Sequence, residues 1–165
     1  MEVKEQFSQL YNLLQRQKQI VEQLISIAEE QTLCLRRNDA QSLQQFTEKQ
    51  ALLSGTLATM EKDRIQVQES LERELGLPRE SSLKDLVPYA PEKTALELNN
   101  IKASLKKNTE RLKEINSLNQ ALAGRALQFT NFMLDLLQPK TEVGYTKDGS
   151  LNKTPKSISR LNKSV

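Results

Sequence analysis

Apolar side chains recur along the first part of the chain at alternating steps of four and three residues. With Gln17 and Gln31 filling two vacant places, this spacing is a heptad seam and predicts a helix over about residues 2 to 36. Further apolar residues widen the stripe, so we expect this helix to face two neighbours in a bundle. The seam comprises Val3, Phe7, Leu10, Leu14, Val21, Leu24, Ala28 and Leu35, and the flanking set comprises Leu13, Ile20, Ile25, Ile27 and Leu33.

A second helix is predicted after Asn38 and Asp39, which interrupt the first pattern. Asn38 with Gln41 three residues later has the spacing of a capping box. Gly76 and the proline that follows it supply a stop, so the helix covers about residues 39 to 75. Its seam runs through Leu43, Phe46, Gln50, Leu53, Leu57, Met60, Arg64, Val67 and Leu71.

The connector from residue 76 to 91 contains three of the five prolines. Ser81 or Ser82 can cap a single helical turn within it. A third and longer helix is predicted from Pro91, because proline suits the first helical turn, and it ends before Pro139. Its seam is formed by Leu98, Ile101, Leu105, Asn108, Leu112, Ile115, Asn119, Leu122, Ala126, Phe129, Met133 and Leu136.

These elements predict an all-α fold, an elongated antiparallel bundle of three long helices with a short connecting helix and a flexible C-terminal tail. Residues 1–139 are expected to form the bundle and residues 140–165 the tail. A tight reversal at Asn38 and Asp39 gives an up-down-up arrangement, which we favour. The alternative is that the first two helices continue as one rod, because the break between them contains neither glycine nor proline.

Polar residues interrupt the seams of all three helices. Polar seam positions lower stability but fix the register of packing, which is their structural interpretation. A functional interpretation is also open, since a loosened seam admits a helix from another protein at smaller cost. The residues concerned are Gln17, Gln31, Gln50, Arg64, Asn108 and Asn119.

Composition argues against an enzyme. The chain has no His, so nucleophilic catalysis with a histidine base is impossible, and the lone Cys34 has no second thiol with which to form an internal disulfide. Gly124 and Gly149 stand alone without a preceding strand, so no phosphate-binding loop is predicted. The carboxylates recur on polar helical faces, where solvation explains them better than a metal. We expect no catalytic residues, no metal and no cofactor.

Basic charge is concentrated at the C-terminus. The formal net charge is +3, and the residues from Gln138 onward carry six Lys or Arg against Glu142 and Asp148. A nucleic-acid-binding factor is therefore one rival reading, but the tail has no dense basic block and only Tyr145 as an aromatic residue, so we expect no nucleic-acid partner. No apolar run is long enough to span a bilayer or form a signal peptide, so we expect no stable membrane insertion and a cytoplasmic location.

The last third of the third helix carries more apolar residues than packing along one seam requires. The simplest interpretation is that it forms the best-packed end of the bundle. If the helix projects beyond its partners, however, part of this face is free to bind an external helix in a groove. The residues predicted to contact such a client are Leu118, Leu122, Ala126, Phe129, Phe132, Met133 and Leu136.

The order of these features resembles the FlgN family of flagellar export chaperones over nearly the whole chain. The landmarks are Asn38-Asp39 after the first helix, Leu118-Asn119-Gln120 and Leu136-Leu137-Gln138-Pro139 in the third, and the Tyr-x-x-Asp-Gly element that begins at Tyr145. A structural coiled-coil scaffold or tethering protein without a secretion client is the main alternative, because its helices imitate the same pattern.

The resemblance implies a cytoplasmic type III export chaperone. Proteins of this family bind the amphipathic terminal helices of hook-associated proteins, which form the hook-filament junction, and prevent their premature assembly. They then deliver these clients to the cytoplasmic domain of the flagellar export gate. By motif, gate docking is expected to involve Tyr145, Asp148 and Gly149.

Overall fold

The computed structural model describes residues 3–137, and within them every regular element is helical, which confirms the all-α prediction for this part of the chain. The long helices are α1, α2 and α4, and a single-turn helix α3 is followed by a 3-10 turn. Their bounds are α1 Val3–Arg37, α2 Ala40–Leu75, α3 Leu83–Leu86, the 3-10 turn Val87–Tyr89, and α4 Glu92–Leu137.

The reversal between α1 and α2 takes only two residues. Asn38 adopts a left-handed conformation with φ of 55°, which asparagine tolerates better than most residues, and the Asp39 N–H donates to the Cys34 carbonyl at 2.9 Å. Asp39 then caps α2, because its Oδ1 accepts from the Ser42 N–H at 3.0 Å. The predicted capping box of Asn38 with Gln41 was wrong, since Asn38 ends α1 and Asp39 begins α2.

Three buried glutamines of α1 define its direction relative to α2. Gln6 donates to Glu74 at 2.5 Å, Gln17 to Glu61 at 2.9 Å and Gln31 to Gln50 at 3.0 Å. As the position rises along α1, the partner's position falls along α2, so the two helices are antiparallel. The hairpin prediction is therefore confirmed, and the continuous rod is wrong.

The main apolar cluster lies where the start of α1, the end of α2, α3 and the start of α4 meet. Burial of its five fully enclosed side chains contributes about 1.5 to 3 kcal/mol each relative to exposure. These five are Phe7, Leu10, Leu71, Leu86 and Leu98. Leu14, Val67 and Ile101 complete the buried cluster.

Side chains of α2 also hold the connector in place. Gly76 ends α2 with φ of 66°, and the Leu77 N–H returns to the Glu72 carbonyl at 2.8 Å. The buried Glu72 carboxylate accepts from the Glu80 N–H at 3.2 Å, and Gln68 donates to the Ser81 carbonyl at 2.5 Å. These bonds position α3 to insert Leu86 into the apolar cluster.

Helix α4 follows α1 in the same direction. Asn108 donates to Glu22 at 3.3 Å, and farther along both helices Asn119 donates to the Ala28 carbonyl at 2.8 Å. The chain divides into two units, Met1–Phe129 and Thr130–Val165, and α4 continues through that division. The proposed boundary between residues 139 and 140 stays a prediction, because it lies outside the described residues.

Candidate functional site

The apolar seam residues of α4 are buried in its first turns and exposed at Phe129. Leu98 and Ile101 are 0% and 5% exposed, Leu112 and Leu122 are half-buried, and Phe129 is 64% exposed. The loss of burial follows from the length of α1, which ends at Arg37 only five residues after Thr32, the partner of Asn119. At about 1.5 Å per residue, α1 ends before it can cover Phe129.

The predicted client-binding residues of the first unit therefore do not form a well-packed bundle end. Leu118 is 44% exposed and Phe129 is 64% exposed, while Leu122 and Ala126 are half-buried. They follow one another at helical spacing, so they share one side of α4. Exposed large apolar side chains grouped in this way are typical of a surface that binds another protein.

The second unit is described from Thr130 to Leu137, and the remaining predicted client-binding residues lie in it. Phe132, Met133 and Leu136 are 58%, 39% and 63% exposed. Leu134 and Leu137 belong to the same surplus of apolar residues but were not among the predicted client-binding residues, and they are as exposed as these three. The apolar residues at consecutive positions, which no single seam accommodates, already indicated this surplus in the sequence.

A buried polar contact holds α4 against α1 just before the exposed residues begin. The Thr32 hydroxyl donates to Asn119 Oδ1 at 2.6 Å, and Asn119 Nδ2 donates to the Ala28 carbonyl at 2.8 Å. Thr32 and Asn119 are both about nine-tenths buried. Gln17, Gln31 and Asn108 also form hydrogen bonds to a neighbouring helix, whereas Arg64 is paired within α2. The bonds across helices favour the interpretation that these polar seam residues fix register.

The ion pair between Glu61 and Arg64 shifts the pKa values of both residues. The hydrogen bond from Arg64, helped by one from Gln17, holds the pKa of Glu61 below its ordinary value despite partial burial, and the same bond raises the pKa of Arg64. Capping bonds lower the pKa of Asp39 and of Asp85 through Ser42 and Ser82 respectively. Each shift has a structural partner, and the arrangement favours packing over catalysis.

The described part of the chain carries neither a group of metal ligands nor a membrane-spanning helix. Between residues 3 and 137, no three His, Cys, Asp or Glu side chains are grouped so that they could hold a metal ion. Cys34 is buried as a free thiol. No helix in this range is long and apolar enough to cross a membrane. Tyr145, Asp148 and Gly149, the predicted gate-docking residues, lie outside the described residues.

Comparison with known proteins identifies the family. The family model for the FlgN protein matches residues 1–153, a range that also includes the Tyr145 element. The chain is 27% identical over 119 residues to the uncharacterized protein YvyG of Bacillus subtilis strain 168, which covers 72% of each chain. No solved structure matches. Because the family model covers most of the sequence, the chain belongs to the FlgN family of flagellar export chaperones.

Proposed function

We propose that this protein is a cytoplasmic type III export chaperone that binds the amphipathic terminal helices of hook-associated proteins. It keeps these hook-filament junction proteins from assembling early and delivers them to the cytoplasmic domain of the export gate. The observation that carries this proposal is the exposure of large apolar side chains on α4, which is seen at Leu118 and Phe129 in the first unit and at Phe132, Met133 and Leu136 in the second. We call the residues from Leu118 to Phe129 the α4 stretch. Membership of the FlgN family supports the flagellar role.

The physical task of such a chaperone is to cover an apolar stripe. A terminal helix that associates with its own kind only after export presents that stripe to water, and laying it against a second apolar helix removes both surfaces from solvent. Each large side chain newly buried contributes roughly 1 to 2 kcal/mol. Phe129 and Leu136, both more than 60% exposed, offer much of that gain. No ATP and no cofactor is needed.

Release of the client requires that the complex not be too tight. Met133 is well suited to this task, because methionine adapts its shape to different neighbours and so suits more than one client helix. Ordering a client helix on binding also opposes the gain from burial, so the net affinity remains moderate. A complex of moderate affinity can be taken apart at the export gate.

The second part of the proposal concerns docking. We assign gate binding to Tyr145, Asp148 and Gly149 in the sequence that follows α4. A tyrosine offers a large ring and a hydroxyl group at low rotameric cost, which makes it a suitable anchor. Joining a gate-binding element to a client-binding helix raises the local concentration of client at the gate.

The experiment that tests the function is co-expression with each hook-filament junction protein of the same organism, followed by mass measurement of the purified species. We expect a complex with full-length client that is lost when the client's terminal helices are deleted. A lasting homodimer that binds none of these proteins would instead support a structural coiled-coil scaffold.

A further inference from the structure

One ion pair and one amide–carboxylate hydrogen bond join α1 and α4 along one side of the molecule. Asn108 of α4 donates to the Glu22 carboxylate, and Arg111 of α4 forms an ion pair with Glu29 of α1. Acidic groups on α1 thus face donors on α4. Thr32 and Asn119, joined at 2.6 Å, set the relative heights of the two helices close to this side.

The pairing changes beyond Asn119. Arg36 follows Glu29 by seven residues and Arg125 follows Arg111 by fourteen, which are about two and four turns, so both arginines stay on this side. Measured from the Thr32–Asn119 contact, Arg36 lies about 6 Å and Arg125 about 9 Å farther along. Arg36 and Arg125 therefore lie at similar distances along their helices. Two cations thus occupy positions equivalent to those of the acid and the base in the Glu29–Arg111 pair.

Neither arginine has a counter-ion among the described residues. Arg36 and Arg125 are exposed, and no carboxylate of residues 3–137 lies within ion-pair distance of either. The negative end of the α1 dipole favours a cation at Arg36, but it does not account for Arg125 in the interior of α4. Like charges at neighbouring positions are unfavourable unless an anion joins them.

Exposed apolar side chains lie on the same side of the molecule as the two arginines. Leu33 follows Glu29 by one turn and is 40% exposed, Leu118 is 44% exposed, and Phe129 follows Arg125 by one turn. We call this surface the α1–α4 flank. It consists of Glu29, Leu33 and Arg36 on α1, and Leu118, Arg125 and Phe129 on α4.

We propose that the α1–α4 flank receives an amphipathic helix of the client and that Arg36 and Arg125 bind carboxylates carried beside its apolar stripe. The inference rests on the proposed function and adds the chemistry of the partner. Guanidinium groups bind carboxylates through two parallel hydrogen bonds, which fix position as well as adding attraction. The arginines thus set which way the client helix runs and how far along α4 it lies.

A nucleic acid is a poorer fit to the same surface. Two arginines can bind phosphates, but the exposed side chains of Leu33, Leu118 and Phe129 share this side of the molecule with them. A phosphate backbone gains nothing from burying leucine side chains, whereas an amphipathic helix does. The mixture of apolar and cationic groups therefore favours a protein helix.

The test compares two double charge reversals that change net charge equally. Arg36→Glu with Arg125→Glu alters the flank, while Arg16→Glu with Lys62→Glu alters exposed positions elsewhere on α1 and α2. Affinity for the junction protein that co-purifies with wild type is measured by calorimetry at low and high salt. We expect the flank variant to bind at least about tenfold more weakly and with less salt dependence, and the control to change less than about twofold.

Further variants make the outcome decisive. Arg36→Lys with Arg125→Lys should keep part of the affinity, and client variants with lysine in place of acidic residues beside the stripe should restore binding to the charge-reversed flank. Equal losses in the flank and control variants, or no loss in either, would overturn the inference while the proposed function stands. A wild-type protein that binds no junction protein removes both. Binding of a short DNA duplex through these arginines, with client binding unaffected, would assign the flank to nucleic acid instead.

Discussion

Thr32 of α1 donates a 2.6 Å hydrogen bond to the side-chain oxygen of Asn119 on α4, 87 positions away in the sequence. The amide nitrogen of Asn119 in turn donates to the Ala28 carbonyl. Because these groups are buried, sliding α4 by one turn would leave them unpaired, at a cost of about 1 to 3 kcal/mol for each lost partner. The contact therefore fixes the register of α4 against α1.

The first prediction follows from this contact. Asn119→Ala should lower the free energy of unfolding by about 1 to 3 kcal/mol, because it leaves a buried space and removes two hydrogen bonds. Urea unfolding monitored by circular dichroism measures the change. Asn99→Ala, on an exposed face of the same helix, is the matched control and should have little effect. Similar losses in both variants would show that the contact does not stabilise the fold.

The sequence predicted Asn119 as a seam residue but did not predict its partner. Heptad spacing places Asn119 on the inner side of its helix, whereas Thr32 stands next to the α1 seam rather than in it. The bond between them depends on how α1 and α4 lie side by side, which periodicity within one helix does not determine. The same limitation explains why Leu33 and Arg36 were not associated with the α4 site.

The helix ends between the start of the second helix and the start of the third were predictable to within about one residue, because their signals are local. Gly76 ends α2 as its position before a proline indicated, and Ser82 precedes the short helix. The error at Asn38 has a local cause too, since Asn and Asp both favour caps and turns and only the backbone conformation separates their roles. For the last third of α4, the sequence left two alternatives open, a well-packed bundle end and an exposed face. Predicted helix lengths alone could not decide between them, because they do not show where the neighbouring helices end relative to α4.

A second prediction uses two glycines in different backbone conformations. Gly55→Ala should raise the unfolding free energy by about 0.5 to 1 kcal/mol, because Gly55 is helical and no atom lies within 4 Å of the added methyl group. Gly76→Ala has equal space but a φ of 66°, so it should destabilise the protein by about 1 kcal/mol. Thermal unfolding of both variants gives the comparison. Stabilisation by both would contradict the left-handed cap at Gly76.

A third prediction concerns pH. Glu61 has its pKa lowered in the folded protein from the ordinary value of 4.5, chiefly by Arg64. Its contribution to stability is therefore present above the unfolded-state pKa and is lost as the pH falls through the lower folded-state value. The stability difference between wild type and Glu61→Gln should be present at about pH 7 and should shrink below about pH 4.5.

Urea unfolding across this pH range measures that difference. Because Glu61 is only partly buried, we expect a small effect at pH 7. Glu114→Gln, on an exposed face of α4 and without an ion pair in the described residues, is the control. A difference that stays constant with pH would show that the bond to Arg64 does not stabilise the folded state.

A fourth prediction separates docking from client binding. Tyr145→Ala changes a residue beyond α4 and should leave the affinity for client unchanged while weakening binding to the purified gate domain. Loss of a tyrosine anchor at an interface typically costs about 2 kcal/mol or more, roughly thirtyfold in affinity. Tyr89→Ala, an exposed tyrosine in the connector, serves as the control. Equal gate binding by all three proteins would remove Tyr145 from the mechanism.

The last prediction distinguishes a binding surface from a surface that is merely apolar. Phe129→Ser should change the unfolding free energy by less than about 0.5 kcal/mol, because the ring is 64% exposed and has little packing to lose. It should weaken client binding by about 1 to 3 kcal/mol, since a client helix that covers the ring gains from burying it. Leu98→Ala, at 0% exposure, should instead destabilise the fold by about 2 to 5 kcal/mol. Leu52→Ser on α2 is the closest control, because Leu52 is 74% exposed yet lies on a different helix. If calorimetry with the junction protein gives the same loss of affinity for Leu52→Ser as for Phe129→Ser, nonspecific hydrophobic contacts explain binding. The α4 stretch would then not be the specific client-binding site.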